Sequence, residues 1–183
     1  MIPPFDHNNV LPPYINDQPA VPGAQSPYEC EILELCQRFA TSPDRRSILK
    51  GFIQFRLDCL ANNIKGFQWI DGSFVENIEA VEARAPHDID VVSFIVLRDS
   101  AEESRIVANF PEFANFYLSK AKYCVDHYPL VINADPLWTV HYTKYWNMLF
   151  SHNRRGVWKG MLQVPLYDSA DKDNEALTYL NSL

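Results

Sequence analysis

Between residues 28 and 62 the apolar positions recur every three or four residues, the period of a helix packed along one face. Ile32, Leu33, Leu35, Cys36 and Phe39 predict a helix over Tyr28 to Ala40. Ser42-Pro43-Asp44 then supplies an N-cap, a proline at the first helical position and an acid in the first turn. The helix it opens buries Ile48, Leu49, Phe52, Ile53, Cys59 and Leu60 before Asn62-Asn63 and Gly66 end it. From there the pattern changes. Phe67 to Asp71 reads as a short strand delivered into Gly72-Ser73, and Phe74 to Ala85 as a helix-like excursion closed by Pro86. Ile89 to Leu97 is too continuously apolar for an exposed edge and predicts a buried strand. Ser100 caps a charged helix from Ala101 to Asn109, and Pro111 starts a short helix or turn through Tyr117. A third strand over Lys122 to Ile132, an aromatic helix over Trp138 to Phe150, a last strand over Trp158 to Leu166 and a helix over Asp171 to Leu180 complete the reading. Strands alternating with helices predict an α/β or α+β domain, a mixed sheet flanked by helices.

Residues 1–27 break this alternation. Seven prolines, Pro3, Pro4, Pro12, Pro13, Pro19, Pro22 and Pro27, exclude a regular element there. Ile2, Phe5, Val10, Leu11 and Tyr14 lie among them and predict an arm packed on a single body formed by residues 28–183, with a free tail as the competing expectation. A chain of 183 residues is long enough for a sizeable core. No apolar run approaches the roughly 20 residues of a bilayer span. Met1 to Asp6 has neither the basic residues nor the apolar run of a signal peptide. We therefore expect no membrane partner and a cytoplasmic location. Four cysteines without a C-x-x-C pair suit reduced structural thiols. Cys59 and Cys124 are expected to be buried, and Cys30 and Cys36 to share the first helix.

A net charge of −7 argues against sequence-independent binding to a polyanion. Its distribution changes that picture. No acid stands between Asp135 and Asp168, where Lys144, Arg154, Arg155 and Lys159 give +4 and leave −11 for the rest of the chain. Trp138, Tyr142, Tyr145 and Trp146 in the same stretch recur at helical spacing and are expected mainly in the core. Stacking of a base on them, or on Trp158, is the alternative.

The candidate chemistry centres on Asp88-Ile89-Asp90, which opens the most hydrophobic strand. Residues i and i+2 of a strand share a face, so the two carboxylates point together. Held close they repel, and burying them unpaired is costly. A divalent cation that prefers hard oxygen ligands, Mg²⁺ or Mn²⁺, removes that cost. Alone, such a pair is more often a solvated rim. Here the preceding strand ends in Gly72-Ser73, where glycine lets the backbone approach a ligand and the free N–H groups of the next turn favour an anion. Asp126, expected in the middle of the third strand, is the third carboxylate that a two-metal site requires. A salt bridge to an arginine is its alternative role, and Asp135 is the weaker substitute. His87 or His127 could line such a site, but no histidine is assigned as a zinc ligand.

Gly72-Ser73, Asp88-Ile89-Asp90-Val91-Val92 and Asp126 in this order resemble the nucleotidyltransferase superfamily of polymerase beta. A bacterial group of small stand-alone proteins of unassigned function with that fold is similar over residues 2 to 166. Ile2-Pro3-Pro4-Phe5, Val10-Leu11-Pro12-Pro13, Trp69-Ile70-Asp71-Gly72-Ser73-Phe74 and Trp158-Lys159-Gly160 carry that similarity. The resemblance implies a nucleotidyltransferase-like sheet and metal-dependent transfer of a nucleotidyl group from an NTP, such as ATP, to a hydroxyl. The acceptor would be an RNA end, a small molecule or a protein, in some relatives within toxin or defence systems. It implies that Asp88, Asp90 and Asp126 hold Mg²⁺ or Mn²⁺, with Asp126 also orienting the acceptor. Gly72 and Ser73 would contact the phosphates, and Arg154, Arg155 and Lys159 would neutralise the remaining charge. The spacing from Ser73 to Asp88 is longer than in the smallest transferases and contains Glu76, Glu79 and Glu82, which are expected to face solvent. A silent nucleotide-binding or antitoxin-like module on the same scaffold is the alternative. A D-x-D glycosyltransferase would leave Gly72-Ser73 without a role.

Overall fold

Capping chemistry and apolar spacing coincide at the first two helices. In the computed structural model, which covers residues 1–183, α1 (Ile32–Phe39) is followed by α2 (Pro43–Ala61), whose Ser42 hydroxyl accepts from the Arg45 N–H. Five strands, β1 (Tyr28–Glu29), β2 (Gly66–Asp71), β3 (Ile89–Ile95), β4 (Val125–Val131) and β5 (Leu162–Pro165), form one sheet in the order β1-β5-β2-β3-β4. β2 is antiparallel to both β3 and β5, whereas β3 pairs with β4, and β1 with β5, in parallel. The remaining helices are α3 (Ile78–Glu82), α4 (Ser100–Asn109), α5 (Pro111–Ala114), α6 (Phe116–Tyr123), α7 (Pro136–Phe150) and α8 (Asp171–Asn181). The protein is thus an α+β domain with a mixed sheet flanked by helices.

Alternation along the strands divides their side chains between two unequal cores. Ile70, Ile89, Val91, Ile95, Val125 and Leu162 join residues of α1, α2 and α8 in a cluster of 30 buried residues. Trp69, Val92, Phe94, Leu130 and Met161 face the other way, against Trp146 and Phe150 of α7, in a cluster of only 7. This second core is thin, and toward the beginning of β3 and β4 it gives way to a cleft.

A line of buried polar groups crosses the larger core. Arg56 binds Asp173 at 2.6 Å and donates to Gln68 at 2.8 Å. Gln68 donates to the Ser93 hydroxyl at 3.0 Å, and His127 lies 2.8 Å from Ser93 through Nε2 and 2.8 Å from the Phe113 carbonyl through Nδ1. Only one assignment satisfies every member: Nδ1 carries the proton and donates to Phe113, while Nε2 accepts from Ser93. Burial lowers the His127 pKa to about 3, so the ring is neutral.

Residues at the start of the chain lie along the body. Val10 and Leu11 are fully buried, and the Gly160 N–H donates to the Leu11 carbonyl at 2.7 Å. Asn77 donates to the Asn9 carbonyl, and Tyr28 to the Pro12 carbonyl.

Several boundaries differ from the sequence expectation. Tyr28–Glu29 is drawn into the sheet beside β5, so α1 begins at Ile32 and Cys30 precedes it. The third strand begins at Val125, because the Asn115 side chain accepts from the Tyr117 and Leu118 N–H groups and caps α6 instead. Cys124 follows with φ of 58°, turns the chain into β4, and is exposed rather than buried. Asp99, not Ser100, caps α4 through the Glu102 N–H. After Ser73 a 3₁₀ turn and the short α3 replace a continuous helix, and the last strand spans only four residues. On α7 Trp146 is buried, but Trp138 and Tyr145 are exposed, which corrects the expectation of an aromatic core helix. No helix is long and apolar enough to cross a membrane.

Candidate active site

β2 ends where β3 and β4 begin. The pairing sets Asp71 opposite Asp90 and Asp90 opposite Asp126, so one aspartate from each of three adjacent strands stands in a row across the sheet. Alternation puts this row on the thin-core face, in line with Trp69, Val92 and Tyr128. Asp88 precedes the row by two residues. Together these acids border a cleft of about 600 Å³, which Gly72, Ser73, Arg154, Arg155 and Lys159 also line. Gly72 has φ of 82°, and a Cβ there would overlap the Asp90 carboxylate. Only glycine fits this corner, where the backbone bends past the acids.

Lys159 comes from the acid-free stretch but is not a free cation. It is buried, with Nζ 2.9 Å from Asp71 Oδ1 and 3.2 Å from Glu76 Oε1, and it donates to the Gly72 carbonyl at 3.0 Å. It therefore fixes the Gly72-Ser73 corner from behind. Burial pushes the Asp71 carboxyl up to about 7, although Lys159 opposes the shift. The two buried acids in turn hold the Lys159 ammonium above its ordinary range. Asp90 rises to about 6, first by burial and then by repulsion from Asp88 and Asp126.

A second lysine faces the row from α6. Lys120 Nζ lies 2.5 Å from Asp88 Oδ2 and 3.3 Å from Asp126 Oδ2, and its hydrogen bond to Asp88 holds it above the usual lysine range. Asp126 Oδ1 is buried without a hydrogen-bond partner. Buried acceptors are rarely left in this state. No three acids, histidines or cysteines already enclose a position for an ion; the Lys120 ammonium stands between two of the carboxylates instead. The donors nonetheless suit a divalent cation. They are the three carboxylates of Asp88, Asp90 and Asp126, among which Asp126 has an orphaned oxygen and Asp90 is raised by burial and by its two acidic neighbours. Lys120 is half-exposed on a flexible stem and can yield its place to a stronger charge.

The residues singled out from the sequence thus meet in one cleft, with corrections. Asp126 is the second residue of β4, not its middle, and its partner is Lys120 rather than an arginine. Glu76 does not face solvent but turns inward onto Lys159, whereas Glu79 is held by Arg45 and Glu82 is exposed at the rim. Arg154 and Arg155 are exposed rim residues. His87 lines the cleft; His127 lies on the opposite face of the sheet. Asp135 caps α7 by accepting from the Leu137 and Trp138 N–H groups. Leu149 and Phe150 line the cleft, whereas Trp138, Tyr142, Tyr145, Trp146 and Trp158 do not. Sequence reasoning missed Asp71, Glu76 and Lys120. Asp71 had a signal, since it shares a face with Trp69 and adjoins Gly72. Lys120 had none, because the helix that carries it ends where a strand was expected to begin.

A family model described as a family of unknown function (DUF6932) matches residues 3–165, and the chain belongs to that family. No curated protein and no solved structure matches it.

Proposed function

We propose that this member of the family is a nucleotidyltransferase that binds an NTP with Mg²⁺ or Mn²⁺ in the cleft and transfers the nucleotidyl group to a hydroxyl acceptor. The observation that carries the reading is the convergence of Asp88, Asp90 and Asp126 with the Gly72-Ser73 corner on one cleft. Asp88, Asp90 and Asp126 would hold the metal, which when bound neutralises triphosphate charge and acidifies the acceptor hydroxyl. The N–H groups following Gly72 receive the phosphates, at a corner that Lys159 holds rigid. Asp126 takes the proton of the acceptor hydroxyl as the acceptor oxygen attacks the α-phosphorus and pyrophosphate departs. Arg154 and Arg155 meet the remaining phosphate charge at the rim. An RNA acceptor would also have to approach across them, since the rest of the chain is strongly acidic.

The ion pairs from Lys120 to Asp88 and Asp126 favour a second reading, a silent nucleotide-binding or antitoxin-like module in which a lysine fills the metal position. One experiment separates the two. The protein is incubated with α-labelled NTPs, Mg²⁺ or Mn²⁺ and a cell extract, beside Asp88→Asn. Transfer of label by the wild type alone supports catalysis. If no label moves and Asp88→Asn matches the wild type throughout, the catalytic reading fails, and nucleotide binding without turnover in calorimetry would establish the silent one.

A further inference from the structure

The solvent face of α7 has the composition of a core. Leu137, His141, Tyr145 and Met148 recur at four-, four- and three-residue steps and so form one stripe, with Trp138 and Leu149 along its edge. Leu137, His141, Tyr145 and Met148 point away from the sheet, which α7 touches through Trp146 and Phe150, and Trp138 and Leu149 flank them. Leu137 is 83% exposed, Trp138 55%, Tyr145 50%, Met148 61% and Leu149 48%. An ordinary surface helix is polar on this face. At these exposures the stripe offers roughly 600–700 Å² of largely apolar surface, above the largest patch of a typical monomer. Beyond Trp138 it continues into an apolar groove of about 540 Å³ that includes Leu97, Val107, Ala114 and Pro129.

We propose that this stripe is the interface of a homodimer, in which α7 packs antiparallel against α7 of a second copy about a twofold axis near residue 143. The area fits. Complete coverage of two such faces buries at most roughly 1,300 Å² in total, which reaches the standard size for a specific interface. Charge fits as well. Lys144 is the one formal charge along the helix, beside the stripe. The remainder of the chain carries −11 and repels a second copy, so self-association is favoured where acids are missing. An antiparallel pair sets each Asp135 end against the other copy's Arg154-Arg155 end, and opposes the two helix dipoles. Because Leu149 lines the cleft, the dimer seam would run to the rim of the site.

Sedimentation equilibrium of the full chain at micromolar concentration tests this directly. The wild type is expected at twice 21.1 kDa, and the double variant Tyr145→Glu/Met148→Glu at the monomer mass. Both substituted side chains are exposed in the protomer, and circular dichroism checks that the variant folds. Leu183→Glu adds a charge at an exposed apolar residue next to α8, on the far side of the sheet, and is expected to stay dimeric. A monomeric wild type overturns the proposal even without the variants. A dimer indifferent to Tyr145→Glu/Met148→Glu overturns it too, as does one lost equally in Leu183→Glu.

Discussion

Lys159→Met removes one positive charge while keeping most of the side-chain volume, and its consequences can be worked out from the surroundings. Asp71 and Glu76 are both nearly inaccessible to solvent, and Lys159 is the cation between them. Deleting one partner of a buried ion pair costs about 3–5 kcal/mol, because the remaining charge has no solvation. Protonation limits that loss. The Asp71 carboxyl already titrates near 7 with the lysine present, and without it the value rises further. At pH 5 the variant therefore folds with Asp71 neutral and loses little. As the pH rises, the unfolded chain, with an ordinary carboxyl near 3.9, releases its proton while the folded variant retains one. Stability then falls by about 1.4 kcal/mol per pH unit for one such group; the wild type, with Asp71 near 7, follows that slope only to about pH 7, so by pH 8 the variant has lost about 1.4 kcal/mol more than the wild type. Protonation of Asp71 thus keeps the loss below the full ion-pair figure. Urea midpoints at pH 5 and pH 8, read at constant m-value, measure it. Parallel pH profiles for the two proteins, or a loss under 1 kcal/mol at pH 8, would show that Lys159 is not the counter-ion of this corner.

Three further outcomes follow from the site and its supporting core. Asp90→Asn should stabilise the metal-free protein at pH 8 by roughly 1–2 kcal/mol, because the raised pKa of about 6 makes the ionised form a burden above that pH. The same variant should weaken Mn²⁺ binding measured by paramagnetic resonance; a destabilised variant with unchanged Mn²⁺ affinity contradicts both statements. Lys120→Met should raise Mn²⁺ affinity about tenfold, the equivalent of about 1.4 kcal/mol, by removing a competing cation from Asp88 and Asp126. Unchanged affinity in calorimetry would mean that Lys120 does not compete. Finally, His127 should show one neutral tautomer, protonated at Nδ1, by ¹⁵N chemical shift across pH 5–8; a titration midpoint near 6.5 would refute the buried hydrogen bonds to Phe113 and Ser93.

The sequence was most informative where local chemistry and burial agree. The Ser42-Pro43-Asp44 start of α2 and the apolar run of β3 are both present, because capping groups and continuous burial act within a few residues of the chain. The paired acids at the head of β3 and the Gly72-Ser73 corner meet in the cleft for a similar reason, since strand alternation fixes their facing. What escaped depends on partners distant in sequence. Tyr28–Glu29 is a strand only because β5 lies beside it, and α6 displaces the start of β4 through a cap at Asn115. Lys159 looked like a phosphate ligand by its charge, but its role is set by Asp71 and Glu76, more than 80 residues upstream. The exposed aromatic residues of α7 have helical periodicity either way, and periodicity alone does not say which face meets the sheet.

The seam between the arm and the end of the sheet sets an order of assembly. Ser26 exchanges hydrogen bonds with Met161 across 135 residues of sequence, and Leu11 waits for Gly160. Contacts of this span are slow to form, because closing the loop precedes any gain from it. During synthesis the arm and both buried acids are made long before Lys159. A nascent chain that has reached only residue 150 therefore holds Asp71 and Glu76 without their cation and Leu11 without its donor. The cleft becomes electrostatically complete only when the last strand arrives, so a partly made chain cannot yet present a finished site.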